Sequence, residues 1–456
     1  MPLRCYPILA ILLLLLTITR SARADAIDDY IRAQMTWLRI PGLSLAVIKN
    51  GKVVRAKGYG LANIETNTAA TPQTVYKIGS VSKQFLAAGV LCLVQDGKLA
   101  LDDKIDKYLE NSPDAWKDIT LRQVLSHTSG IVREPPGFDP YKIQPDAEVI
   151  QSAYPVPLRF PSGQKWEYSN TGYYCVAEIL RKVAGKPWSE FLQERVFTPA
   201  GMSVTQVSTR NVIAGRASGY EARATLQNAE NWLAVRPSGA YLSTVLDFAR
   251  WDQALNSSTI LSEASRTQMW TPARLSDGKA ISYGFGWFID QVQGHKRLSH
   301  SGGVPGFVCE YQRYPDDHIS VVIMANIGNR DLGDIARNIT AQYVPALMAP
   351  SEPTLPEKEP VVARQLQQIV NGLARGKVDR SQFTPQMVGN LEADIQQGFG
   401  EILGKLGGVR SLTLLARSQA PTERTYRYRL NFKHLALYLS CNLDSENRIT
   451  RFAIQD

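Results

Sequence analysis

The chain has 456 residues, with 51 Lys plus Arg against 42 Asp plus Glu and a formal charge of +9. Hydrophobic residues make up 44% and charged residues 20%. That excludes a disordered or collagen-like chain, supplies a core and, at about 150 residues per domain, allows two or three domains. Five cysteines are too few and too scattered for a disulfide-built mini-protein.

In chain order, Arg4 supplies a short positive start, Ile8 to Leu16 is an unbroken apolar run, and Ser21-Ala22-Arg23-Ala24 has the A-x-A form of a cleavage site. The run is too short to span a bilayer, which takes about 20 residues, and no later stretch is long enough. Residues 1–24 therefore read as a signal peptide, with a retained anchor as the alternative. The expectation is export to the periplasm or medium, no transmembrane segment in the mature chain, and a start near Asp25. The leader's three arginines go with it, leaving +6, a mild excess that does not indicate nucleic acid as a partner. Cys5 leaves too. Cys92, Cys175, Cys309 and Cys441 each sit in an apolar stretch and read as free buried thiols. The five histidines show no metal-ligand spacing, and neither metal nor cofactor is expected.

Leu43–Ile48, Asn50-Gly51 and Val53–Gly60 read as a β-hairpin, since Asn-Gly suits a turn that needs two positive φ angles. Ser80–Gln95 reads as a helix, apolar nearly all round and therefore buried, with Gly97 beyond its end. Residues 100 to 280 mix short helical patterns with Pro- and Gly-rich loops. Strands return at Gly284–Val292 and Lys296–Ser301, then at Phe307–Tyr314 and Ile319–Ala325. Strands at both ends with helices between them suggest one sheet built from both termini, α/β or α+β, without the strict βαβ alternation of a nucleotide fold. Pro345, Pro350, Pro353, Pro356 and Pro360 mark a semi-rigid spacer, 346–360, between a domain over 25–345 and a small α+β domain over 361–456. In the latter, two helices, the second opened by Thr384-Pro385, precede strands near Ser411–Ala416, Thr425–Phe432, Leu435–Leu443 and Ile449–Ile454. Arg427 and Arg429 alternate with Tyr426 and Tyr428 as on a strand with one solvated side.

Three Ser-x-x-Lys matches occur: Ser80/Lys83, Ser162/Lys165 and Ser276/Lys279. The last two lie beside glycines in loop-like stretches. Ser80 opens a helix, where residues three apart share a face and Lys83 can reach the hydroxyl. A serine needs a base to become a nucleophile, and a lysine serves only when neutral, which burial promotes. Tyr168-Ser169-Asn170 is the one Tyr-x-Asn: a phenol near a lysine can shuttle protons, and an amide can hold a carbonyl or orient the lysine. His300-Ser301-Gly302-Gly303 ends an expected strand, where small residues let the backbone approach a substrate.

Ser-x-x-Lys, Tyr-x-Asn and His-x-Gly in this order resemble the serine β-lactamase and penicillin-binding-protein superfamily, in its class C-like esterase and D-aminopeptidase branch. Leu125-Ser126-His127-Thr128-Ser129-Gly130, Phe160-Pro161-Ser162-Gly163 and Tyr283-Gly284-Phe285-Gly286-Trp287 extend the likeness over residues 26 to 345. The resemblance implies an antiparallel sheet flanked by helices, with a helical subdomain. It implies Ser80 as acylated nucleophile, Lys83 as its base or relay, and Tyr168 as second acid/base. Asn170 would contact substrate or Lys83. His300 and Gly302 would line the site, and the N–H groups of Ser80 and Gly303 would form the oxyanion hole. His127 reads as structural. Position 300 departs from the family's usual lysine, which attracts a substrate carboxylate, and Arg236 is a possible substitute. The leading expectation is a carboxylesterase-like serine hydrolase for a small ester, amide or peptide. The alternatives are a D-amino-acid-specific peptidase or weak β-lactamase and, in another class, a catalytically silent binding protein.

Overall fold

The computed structural model describes residues 26–455 apart from 210, 224, 231–235, 349–352 and 397–398. The expected leader and Pro350 lie outside the described residues. The chain divides into two compact units, one formed by Pro41–Ala222 with Leu226–Met348, the other by the chain up to Ile40 with Arg223–Thr225 and Ala349–Asp456.

The larger unit is built on a seven-stranded antiparallel sheet. Its order is Thr68–Ala69, Lys52–Asn63, Gly42–Lys49, Ile319–Ala325, Phe307–Tyr314, His295–Val304, Phe288–Val292. First and last segments of the unit thus pair at its centre, with Leu45 opposite Ile323. The expected hairpin turns at Asn50 and Gly51, both at positive φ. Gly42–Ile48 is buried without alternation, because both faces of the sheet are covered there. The second hairpin forms as expected. The preceding strand starts only at Phe288, because Gly284–Trp287 is held elsewhere. Gly286 has φ 76°, and a Cβ there would stand 3.0 Å from the backbone of Gln84.

Helix Lys83–Gln95 is buried from Lys83 to Leu93. Phe85 anchors it in edge-on contact with Phe197, Tyr241 and Trp251 at 4.9, 5.6 and 5.1 Å. Emptying such a site costs about 3–5 kcal/mol. Beside it runs helix Asn170–Ala184, capped by the Ser169 hydroxyl on Gly172 N–H and ended by left-handed Gly185.

The second unit has a four-stranded antiparallel sheet, Ser411–Gln419, Arg424–Asn431, Ala436–Leu443 and Ile449–Gln455, in chain order. Tyr426, Tyr428 and Leu430 alternate inward while Arg427 is exposed, as the pattern predicted. Helices Pro360–Leu373 and Pro385–Gln396 are followed by a third, Phe399–Lys405, that periodicity did not signal. A helix over 26–38 also belongs here rather than with the larger domain. Tyr30, Ala33 and Trp37 pack on this unit's core, Trp37 edge-on to Phe399. The proline-rich stretch is only partly a spacer. Leu355 N–H donates to Leu414 O, and Glu357 and Glu359 accept from Tyr428 and Tyr426. Pro360 opens a helix instead of continuing the linker. Cys92, Cys175, Cys309 and Cys441 are free and buried. Among the described residues, no helix is long and apolar enough to cross a membrane.

Candidate active site

Ser80 does not open an α-helix. It lies in a 3₁₀ turn, Gly79–Ser82, that hands over to the α-helix at Lys83. The difference favours the expected contact, since residues i and i+3 eclipse in a 3₁₀ turn. Lys83 Nζ stands 3.4 Å from Ser80 Oγ, 2.8 Å from Asn170 Oδ1 and 3.0 Å from Ser238 O. The lysine is fully buried. Burial first, then the charges of Arg236 and Arg133, push its pKa well below the ordinary lysine value, with Glu134 opposing. Its two firm acceptors are neutral carbonyls. A neutral amine has two N–H donors and one lone pair. With both donors spent on Asn170 and Ser238, the lone pair is left for the Ser80 hydroxyl.

Tyr168 brings its ring to within 4.7 Å of Lys83 Nζ, with the Arg133 guanidinium 5.3 Å from the ring centre. The residue is half-buried. The phenol is pushed up by burial, while Ser80, Arg133 and Arg236 work the other way. It therefore stays protonated at neutral pH. Asn170, first residue of its helix, donates from Nδ2 to Glu134 Oε1 at 2.8 Å. Arg236 pairs with the same carboxylate and covers the Phe138 ring at 4.4 Å. Arg236 is thus countered by Glu134 rather than standing as a carboxylate anchor. Glu134 and Ser238 had no signal in the sequence beyond their place in polar loops.

The third motif lies against the nucleophile turn. A Cβ on Gly302 would fall 1.9 Å from Ile78 O and 3.1 Å from Ser80 N. One on Gly79, at φ +52°, would fall 2.7 Å from Gly303 N. Only glycine at both positions permits this approach, which brings the Ser80 and Gly303 amide nitrogens to one edge of the cleft.

His127 and His300 are joined through Tyr283, a residue quoted in the sequence motif without a role. Ser169 N–H donates to His127 Nδ1 at 3.1 Å, so Nε2 carries the proton and donates to Tyr283 Oη at 3.2 Å. Tyr283 then donates to His300 Nε2 at 3.0 Å, and His300 Nδ1–H donates to Ser301 O at 2.6 Å. The bonds from Ser169 to His127 and from Tyr283 to His300 each need an unprotonated ring nitrogen as acceptor, so the run requires both imidazoles neutral. Burial and the Lys83 charge push both histidines down, His300 to about 3. His127 has φ 61° and both ring nitrogens engaged, which fits a structural part. The other two Ser-x-x-Lys serines are structural as well: Ser162 donates to Gln123 Oε1, and Ser276 N–H to Gly163 O.

The Beta-lactamase family profile matches residues 27–343. The chain belongs to the Beta-lactamase family. Penicillin-binding protein 4* of Bacillus subtilis is 29% identical over 308 residues, covering 61% of this chain and 68% of that protein. A D-aminopeptidase of Brucella anthropi is 26% identical over 318 residues, covering 66% and 59% respectively. Among solved structures, the octameric penicillin-binding protein homologue from Pyrococcus abyssi superposes with TM-score 0.65 at 22% identity, over 95% of this chain and all of that one. D-amino acid amidase from Ochrobactrum anthropi SV3 gives TM-score 0.62 at 23% identity, over 72% of this chain and 98% of the other. These two likenesses are of fold. The named aminopeptidase and amidase are hydrolases, and the expected β-lactamase/transpeptidase-like architecture is the one observed.

Proposed function

We propose that this Beta-lactamase family member is an exported serine hydrolase that cleaves small amides and esters through a Ser80 acyl-enzyme. The observation that carries the reading is the Lys83 amine, buried between two carbonyl acceptors with Ser80 Oγ as its third neighbour. Lys83 takes the Ser80 proton as Oγ attacks the carbonyl carbon. The oxyanion that develops is met by the N–H groups of Ser80 and Gly303, where aligned donors matter most. Tyr168 gives its proton to the departing amine or alkoxide, and Lys83 returns the serine's proton to Tyr168. Arg133 and Arg236 stabilise the transient phenolate. Water then attacks the acyl ester by the reverse route, with its proton ending on Ser80. Asn170 holds Lys83 in line.

Amides come first among substrates because a leaving amine must be protonated, and Tyr168 rests as a proton donor. The aminopeptidase and amidase among the relatives favour the same class. His300 is neutral and Arg236 is matched by Glu134, so a leaving group without a carboxylate suits the cleft better than a penicillin. A fixed charge about 4 Å away would be worth on the order of 4 kcal/mol at an effective dielectric of 20. The second reading, carboxylesterase, rests on the same loss of the carboxylate anchor. Intact-mass and turnover assays with D-phenylalanine amide, p-nitrophenyl acetate and nitrocefin decide between them. The reading expects an adduct on Ser80, none in Ser80→Ala, and nitrocefin slowest. Rapid nitrocefin turnover with inert amide and ester overturns the substrate assignment. Failure of a fluorophosphonate to label Ser80 in the folded protein favours the binding protein instead. Export rests on the apolar run and A-x-A site, and the mass of the protein recovered outside the cytoplasm tests it.

A further inference from the structure

Trp166 is the one exposed tryptophan among the described residues, at 37%. A lone exposed apolar side chain is ordinary. This one is held beside the phenol of the site. Glu167 N–H donates to His127 O at 3.1 Å and Ser169 N–H to His127 Nδ1 at 3.1 Å, which fixes the segment on both sides of Tyr168. The indole stands edge-on to Tyr168 at 6.5 Å and to Phe288 at 6.3 Å, and 6.0 Å from Tyr283. Phe288 is half-buried at the start of the edge strand Phe288–Val292, 5.3 Å from the His300 ring. Its backbone is held between Ser299 and Tyr283. Tyr283 is buried, and Trp166, Phe288, Tyr168 and His300 stand around it.

We propose that Trp166 and Phe288 form the leaving-group subsite and select substrates whose departing alcohol or amine carries an aromatic ring. The inference rests on the acyl-transfer reading and names a substrate class within it. In the step concerned, Ser80 Oγ bonds to the carbonyl carbon, that carbon's bond to the leaving oxygen or nitrogen breaks, and the Tyr168 proton goes to the leaving atom. The departing group is therefore next to Tyr168, and the exposed ring beside Tyr168 is Trp166. On the other flank His300 lies 6.2 Å from the Tyr168 ring, with both its nitrogens already bonded and no charge to offer. An aromatic group set against Trp166 and Phe288 takes apolar surface out of water and adds edge-to-face contact. The competing attractor is Arg133, whose exposed guanidinium lies 5.3 Å from the Tyr168 ring and would favour a carboxylate instead.

Steady-state hydrolysis by the full chain tests the subsite with the acetyl esters of benzyl alcohol, 2-methoxyethanol and glycolate. All three give the same acetyl-enzyme, so differences in kcat/KM belong to the leaving group. The benzyl ester should exceed the methoxyethyl ester by about tenfold or more. Trp166→Ala should lower that ratio about fivefold, Phe288→Leu severalfold, and Trp166→Phe should keep most of it. A merely structural part for either ring would slow both esters alike and leave the ratio where it was. Should Trp166→Ala fail to fold, Phe288→Leu carries the test. A wild-type ratio near one, a ratio unmoved by the variants, or a glycolate ester cleaved faster than the benzyl ester overturns the proposal. Fluorophosphonate labelling separates the two levels: a labelled Ser80 with no preference for the ring removes the subsite alone, and an unlabelled Ser80 removes the acyl-transfer reading with it.

Discussion

Two buried cations in the larger unit show how surroundings divide structure from chemistry. Arg313 and Asp252 meet at 2.8 Å with side-chain exposures of 2% and 3%, and the same carboxylate accepts from Tyr311 and Ser320. Burial works against the guanidinium's charge, but Asp252 and Tyr311 together more than offset it and hold the pKa above the ordinary value. Lys83, equally buried, has carbonyls as its firm acceptors. A carboxylate in contact keeps a buried cation charged and inert. A pair of carbonyls leaves an amine able to lose its proton. Burial alone therefore says little about reactivity; the charge on the acceptor decides.

The largest expected effect comes from removing the amine. Lys83→Met should lower kcat/KM by about 10²–10⁴, the range for general acid–base groups, while unfolding free energy stays at or above wild type. A near-wild-type rate would break the contrast. Asp252→Ala should do the opposite: a loss of about 3–5 kcal/mol in denaturant unfolding, with unchanged kcat per folded molecule, since a buried guanidinium loses its partner. Activity falling in step with no loss of stability would count against it. Tyr168→Phe should cost about 10² in kcat, more with amides than with activated esters, because the phenolate leaving group of a nitrophenyl ester needs no proton. Equal losses on both would place Tyr168 elsewhere in the reaction.

Titration sharpens the comparison further. Lys83 is depressed in the folded state, so between its folded and ordinary values the unfolded chain binds the extra proton. Its contribution to stability therefore rises with pH across that window, by at most about 1.4 kcal/mol per unit. The gap between wild type and Lys83→Met should shift in the wild type's favour from pH 7 towards 10. The acid limb of kcat/KM should vanish in the variant. His300, at about 3 when folded, works in acid: its contribution is present above pH 6.5 and falls as pH drops towards 3. His300→Gln should flatten that part of the unfolding curve. The smallest effect, about tenfold or 1.4 kcal/mol, is expected from His300→Lys, as a shift in substrate ranking towards carboxylate-bearing compounds. An unchanged ranking would remove position 300 from specificity.

Much of this was legible in the sequence, for local reasons. The Asn50-Gly51 hairpin, the strand pair Phe307–Tyr314 and Ile319–Ala325, and the four C-terminal strands follow from turn residues and alternation. Ser80, Lys83 and Tyr168 were found by spacing and context, and the structure brings them together. What the sequence hid depends on distant packing. Glu134 looks like a surface charge, and Arg236 like a possible carboxylate anchor, until the fold sets them against Asn170 and Phe138. Ser238 contributes a backbone oxygen, which no residue type betrays. The turn at Ser80 lies close against Gly302, a tertiary approach that no local pattern signals. Helix 26–38 was missed because its apolar face is completed by residues more than three hundred positions away.

The run of bonds from Ser169 through His127, Tyr283 and His300 to Ser301 has a direction. It begins at a backbone amide, which can only give, and finishes on a backbone oxygen, which can only receive. No proton in between can reverse without stranding one of those ends, so the second and third motifs are locked into a single orientation. A substitution at position 300 therefore bears on the run of hydrogen bonds that ends at the residue between Tyr168 and Asn170.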